Sequence, residues 1–237
     1  MIKLSKRLQT VAHQVECGGV AADIGCDHGF TSIYLIEQGI AKHVIAMDIN
    51  EGPLERAKEH IREYGMEEDI ETRLSDGTAK LTPGEADTLL ISGMGGALIC
   101  KILSDSPEVT ARAKELVLSP QSEWATTRHY LLEHGFMIQR EEMVFDQGKY
   151  YLILRAVPGR QKFSDEREYM YGQYLPEHGD ECLLSYLQKE EQRIRKILKG
   201  MEGKQLSGQA AAQREELNRE LECVQRTGTL CRNRKEG

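Results

Sequence analysis

The chain has 237 residues, with 31 Lys+Arg against 38 Asp+Glu for a net charge of −7, and 40% hydrophobic side chains. That length suits one large domain or a domain with an appendage, and no apolar run approaches the roughly 20 residues that span a bilayer. An acidic total argues at first sight against a nucleic-acid partner.

The start, Met1-Ile-Lys-Leu-Ser-Lys-Arg-Leu, is charged again before any apolar stretch forms. It predicts neither a signal peptide nor a membrane anchor, and hence a cytoplasmic protein. The six cysteines, Cys17, Cys26, Cys100, Cys182, Cys223 and Cys231, form no C-x-x-C pair and no zinc-like spacing with the seven histidines. Reduced thiols and no metal site are expected. Residues 1–160 carry 17 basic and 24 acidic side chains, whereas residues 161–237 carry 14 of each, so the acidity belongs to the first two thirds.

The predicted elements begin with an N-terminal helix over residues 1–18, on which Lys3, Lys6 and Arg7 share a face. Short β-branched runs then alternate with helical segments, the pattern of a parallel sheet with crossover helices. Strands are expected at 20–24, 44–47, 70–74, 88–91, 116–118, 137–145 and 150–156, and helices at 32–38, 53–64, 97–103 and 124–134. Pro53 suits the first turn of its helix, and Ser122 precedes the last as a cap. Asp146-Gln-Gly-Lys149 signals a hairpin between the final strands. The result is an α/β fold with a seven-stranded open sheet, five strands parallel and two in an antiparallel hairpin.

Past Pro158-Gly159 the chain turns long, charged and helical. Leu183, Leu187, Ile194, Ile197 and Met201 recur at helical spacing, Gly200, Gly203 and Gly208 interrupt, and Leu206, Ala210, Gln213, Leu217, Leu221 and Val224 resume. This predicts a domain at 1–160 followed by a coiled-coil-like helical hairpin at 161–237. Lys189, Arg193, Arg195, Lys196, Lys199 and Lys204 outnumber Glu190, Glu191 and Glu202 there. The stripe is either a solvated helix face or a surface for phosphates.

The chemistry gathers at strand ends. Asp23-Ile-Gly-Cys-Asp-His-Gly29 follows the first strand with the spacing D-x-G-x-D-x-G, which differs from the dinucleotide G-x-G-x-x-G. A carboxylate there repels pyrophosphate and suits a ligand with an ammonium group, such as S-adenosylmethionine. Asp48 ends the second strand, where its two oxygens can accept from ribose hydroxyls. Ser75-Asp76-Gly77 ends the third, placing an acid for an adenine amine. Ile91-Ser-Gly-Met-Gly-Gly96 ends the fourth, and Ser119-Pro120-Gln121 sets an amide at the same rim. The glycines serve either a close approach to ligand or helix–strand packing.

LSKRLQTVA at 4–12, ADIGCDHG at 22–29, SDG at 75–77, ISGMGGALI at 91–99 and the SPQ turn together resemble the bacterial tRNA (adenine-22, N1)-methyltransferase family, TrmK. The resemblance implies a Rossmann-like class I methyltransferase with a C-terminal helical appendage that methylates adenine N1 in tRNA. It implies cofactor contacts from Asp23, Gly25, Asp27, Asp48, Asp76, Gly77, Gly93, Met94 and Gly95 to S-adenosyl-L-methionine. Asp27, Ser92, Gly93 and Gln121 are the candidates for orienting the target base. Lys6, Arg7, His28, Tyr150, Arg193 and Lys196 are the candidates for RNA, His28 being equally an exposed helix-start residue. Cys26 stands where the family commonly has a small polar residue, and Gln121 where it often has Asn. The protein is expected to be a monomer or a weak homodimer through its C-terminal helices. The alternatives are a methyltransferase for a small molecule or protein, and a non-catalytic cofactor-binding interaction protein.

Overall fold

A computed structural model describes residues 2–203 and 207–235. The chain divides into two compact units, Met1–Lys162 and Phe163–Gly237. Among the described residues no helix is long and apolar enough to cross a membrane.

In the first unit the elements run α1 (Lys6–His13), β1 (Val20–Ile24), α2 (Phe30–Glu37), β2 (His43–Asp48), α3 (Glu51–Glu63), β3 (Ile70–Leu74), β4 (Thr88–Ser92), α4 (Gly96–Asp105), α5 (Pro107–Arg112), β5 (Glu115–Ser119), α6 (Trp124–Glu133), β6 (Phe136–Asp146) and β7 (Lys149–Pro158). The sheet order is β3-β2-β1-β4-β5-β7-β6, with β7 antiparallel to both β5 and β6 and the other pairs parallel, so β7 alone runs against the remaining six strands. The central strands are apolar on both faces because helices cover both sides of a doubly wound sheet. Ala22 pairs with Ile45 and Leu89, and all three are buried. At the C-terminal edge, Ile24 lies level with Met47 and Ile91, so the loops after β1, β2 and β4 open at one height. The β6–β7 turn places Gln147 and Gly148 both at positive φ, as a two-residue hairpin requires.

Three expectations change in this unit. The N-terminal helix is only Lys6–His13, capped by Ser5 Oγ, which accepts from Leu8 N at 3.3 Å. It does not continue to residue 18 because the amides of Glu16 and Cys17 donate to the Glu115 carboxylate, both at 3.0 Å. Lys3 therefore precedes the helix and shares no helical face with Lys6 and Arg7. Ser122 does not cap α6; the capping position is Glu123, in the left-handed region at φ 56. Helix α5 was not anticipated, although Ser106-Pro107-Glu108 is a helix-start signal.

The second unit contains α7 (Glu166–Tyr171), α8 (Tyr174–Glu177), α9 (Glu181–Met201) and α10 (Gly208–Lys235), with α9 and α10 packed together. Leu183, Leu187 and Ile194 of α9 and Leu217, Val224, Thr227 and Cys231 of α10 are buried. The seam thus runs further toward the C-terminus than Val224. Its other end is open, with Ile197 37% exposed and Gln213 exposed. Gly200 lies inside α9 and Gly208 inside α10, so of the three expected interruptions only Gly203, at φ 70, separates the helices. Leu206 and Lys204 lie outside the described residues.

Candidate functional site

A cleft of about 580 Å³ opens at the C-terminal edge of the sheet, where the strand order switches between β1 and β4. That is where open α/β sheets bind ligands. Asp23, Gly25, Asp27, Asp48, Asp76, Gly77, Ser92, Gly93, Met94, Gln121 and Arg7 all line it. Acids occupy the β1–β2–β3 half, while Ser92, Gly93, Gln121 and Arg7 occupy the other.

Asp23 is 3% exposed, and its Oδ2 accepts from Ser32 Oγ at 2.7 Å. Burial, reinforced by the nearby Asp48 charge and opposed by the Ser32 hydroxyl, raises its pKa to about 6. The chain turns sharply at Gly25, whose amide, with that of Cys26, donates to Met47 O at 2.8 and 2.9 Å. Gly25 has φ 77, and a Cβ there would collide with the Met94 methyl group, so this turn and the glycine-rich loop interlock. Burial and the charges of Asp23 and Asp48 push the Cys26 thiol up, which makes it an unreactive wall residue.

Asp48 accepts from Asn50 N through Oδ1 at 2.9 Å and from Asp27 N through Oδ2 at 3.3 Å. Both oxygens are held by backbone, and each keeps a lone pair for a hydroxyl in the cleft. Asp48 O accepts from Ser75 N at 2.8 Å, which brings the Asp76-Gly77 turn alongside.

On the other half, Gln121 N donates to Met94 O at 2.9 Å and Gly93 N to Ser119 O at 3.3 Å. The hydroxyl of Ser92 is buried without a hydrogen-bond partner. The Arg7 guanidinium lies over the Tyr151 ring, 5.0 Å from its centroid. Arg7 N donates to Asp146 Oδ2 at 3.2 Å, which ties α1 to the β6–β7 hairpin.

Other predicted residues fall elsewhere. The Asp27 carboxylate is 67% exposed, 3.7 Å from His28 Nε2 and 3.9 Å from Arg56 Nη2, so it forms the outer wall rather than the floor. His28 does not line the cleft; its ring stacks on Phe30, which stacks on His60. Gly95 is the residue before α4 and does not line the cleft. Lys6 is exposed outside it, and Tyr150 packs against Phe145 at 4.7 Å. In the second unit Arg193 is engaged by Glu190 at 2.8 Å and Glu220 at 2.7 Å, and Arg195 by Glu191 at 2.8 Å. This pairing engages two cations of the basic stripe, while Lys196 is exposed.

Sequence reasoning missed Ile49 and Leu98, which line the cleft while 58% and 48% exposed. Large apolar residues that exposed around a polar cleft suit the faces of a planar ring, and the available signal was an apolar residue directly after Asp48 and another two positions after Gly96. A groove of about 650 Å³ in the second unit, lined by Asp165, Arg167, Glu220, Arg226 and other mostly charged residues, has no glycine turn or strand edge. The chemistry therefore belongs to the first unit.

A methyltransferase-domain family matches residues 4–154. The tRNA (adenine(22)-N(1))-methyltransferase of Bacillus subtilis strain 168 is 37% identical over 158 residues, covering 67% of this chain and 66% of that protein. The crystal structure of the B. subtilis m1A22 tRNA methyltransferase TrmK superposes with a TM-score of 0.88 at 30% identity, covering 96% of this chain and all (100%) of that one. A Streptococcus pneumoniae protein solved in complex with S-adenosyl-L-methionine superposes with a TM-score of 0.86 at 29% identity, covering 95% and 100%. With its sheet order, its strand-end acids and these likenesses in agreement, the chain belongs to the TrmK family of class I methyltransferases.

Proposed function

We propose that this chain transfers a methyl group from S-adenosylmethionine to N1 of adenine 22 in tRNA. The observation that carries the reading is the division of the cleft, with carboxylates at three successive strand ends on one half and Arg7 with Gln121 on the other. The acidic half fits the cofactor: Asp23 answers an ammonium group, Asp48 two ribose hydroxyls, and Asp76 an adenine amine beside Ile49 and Leu98. The bound cofactor supplies an electrophilic methyl group on sulfur.

Adenine N1 already presents a lone pair, so the chain need not remove a proton before transfer, and orientation is its main task. Gln121 accepts from the target's N6 amine and turns N1 into the cleft, with the Ser92 hydroxyl and the Gly93 backbone beneath. Asp27 and its acidic neighbours favour the cationic product. Arg7, over the Tyr151 ring, offers paired donors to a phosphate next to the target nucleotide. Lys6, His28 and Tyr150 extend this contact around the rim, and Lys196 adds one from residues 161–237, which act as a separate RNA-gripping domain. The α9–α10 seam closes within one chain, which favours a monomer or weak homodimer.

Transfer of labelled methyl from S-adenosylmethionine to bulk bacterial tRNA tests the reading. Incorporation into tRNA is expected. Incorporation only into protein or small metabolites, or cofactor binding with no transfer, overturns it.

A further inference from the structure

The loop that follows β5 is latched to the glycine loop that follows β4, and the latch converges on Glu123. Its Oε2 accepts from Ala97 N at 3.0 Å and from Ser122 Oγ at 3.2 Å. Ser122 O accepts from Gly96 N at 3.1 Å. The residue before helix α4, Gly95, has no side chain to cap it, so two free amides of the helix's first turn are satisfied from the β5 loop. A carboxylate is well placed at that positive helix end. Packing here is close, since a Cβ on Gly96 would meet Glu123 O and Thr127 Oγ1 at 2.6 Å.

Glu123 reaches this position by taking the left-handed conformation, φ 56 and ψ 46, which a side chain with a Cβ disfavours. Its carboxylate makes no bond to its own helix α6. The strained conformation therefore serves the neighbouring helix. Flanking Ser122 and Glu123 are Gln121, whose backbone amide donates to Met94 O, and Trp124, whose indole N–H donates to Pro120 O at 3.0 Å.

We infer that Glu123 is a positioning residue, which holds Gln121 and residues 93–96 in the one arrangement that presents the target base to the methyl group. The inference rests on the methyl-transfer reading above and concerns a residue outside the cleft lining.

The test uses Glu123→Gly and Glu123→Gln in the full chain. Glycine tolerates φ 56, so Glu123→Gly removes the latch and the left-handed strain together, and these opposing changes keep the melting temperature close to that of the wild type. It should lower kcat for tRNA methylation about tenfold, while KM for tRNA changes less than about twofold. Glu123→Gln keeps an acceptor oxygen and should retain most of kcat. Trp124 is the only tryptophan, so its fluorescence reports on this loop independently of activity. Its quenching by acrylamide should rise in Glu123→Gly and not in Glu123→Gln. Unchanged quenching in Glu123→Gly, wild-type kcat in that variant, or a kcat loss that simply follows a fall in melting temperature overturns the inference. Wild-type protein with no activity on tRNA overturns the methyl-transfer reading instead, and the quenching comparison still decides the role of Glu123.

Discussion

The Arg7 guanidinium rests on the ring of Tyr151, 5.0 Å from its centroid, inside a cleft otherwise rich in carboxylates. The ring's π face holds the planar cation without neutralising it, so its N–H donors stay available to an anion. Arg7→Ala should raise KM for tRNA about tenfold and flatten its dependence on salt by about one phosphate contact, with little change in cofactor affinity. Steady-state kinetics at several salt concentrations checks this, and an unchanged salt slope would remove Arg7 from phosphate binding.

Asp48 has both oxygens fixed by backbone amides, and its loss removes two prepared acceptors at once. Asp48→Ala should weaken S-adenosylmethionine binding by about 10- to 100-fold, as losing charge-assisted hydrogen bonds does. Calorimetry measures this directly, and an unchanged dissociation constant excludes the ribose role.

The proposed ammonium contact of Asp23 would couple cofactor binding to pH. Its pKa stands at about 6 in the folded chain against an ordinary 3.8, chiefly through burial. The folded state thus binds the extra proton, so this group's contribution to stability is fully present below the ordinary pKa and is lost as pH rises through about 6. A cationic cofactor group requires the ionised form, so affinity should run the other way. It should fall about tenfold for each pH unit below the folded pKa and level off above it. Calorimetric titrations from acid to neutral pH check the profile, and Asp23→Asn should bind more weakly with no such dependence.

Arg128 and Glu141 form a buried pair at 2.8 Å, each side chain 1% exposed, between α6 and β6. Removing either partner strands a charge in the core. Glu141→Ala should cost about 3–5 kcal/mol, whereas the double replacement Arg128→Met, Glu141→Leu should cost much less. Urea unfolding of the two variants settles the comparison; equal losses would contradict it.

The sheet and its acidic edge were legible because each depends on local pattern. The β-branched runs could occupy only buried strands, and Asp23, Asp48 and Asp76 follow those runs directly. The other half of the site depends on pairs distant in sequence. Arg7 meets Tyr151 across 144 positions of chain, and no local signal marks that meeting. Nothing local marks Glu123, because its partner, the amide of Ala97, belongs to another helix. In the second unit, periodicity identified two helices but not where their seam is dry, since Gln213 and Ile197 fit the spacing yet stay exposed. Four of the acids behind the −7 net charge, Asp23, Asp27, Asp48 and Asp76, line the cleft, so an acidic total did not exclude an RNA partner.

The most direct test of the account is to identify the methylated nucleoside in tRNA treated with this protein and S-adenosylmethionine, by nuclease mapping and mass spectrometry. The expected product is 1-methyladenosine at position 22 and at no other adenine. Methylation of a different base, of adenine at N6, or of an adenine elsewhere in the tRNA would contradict it.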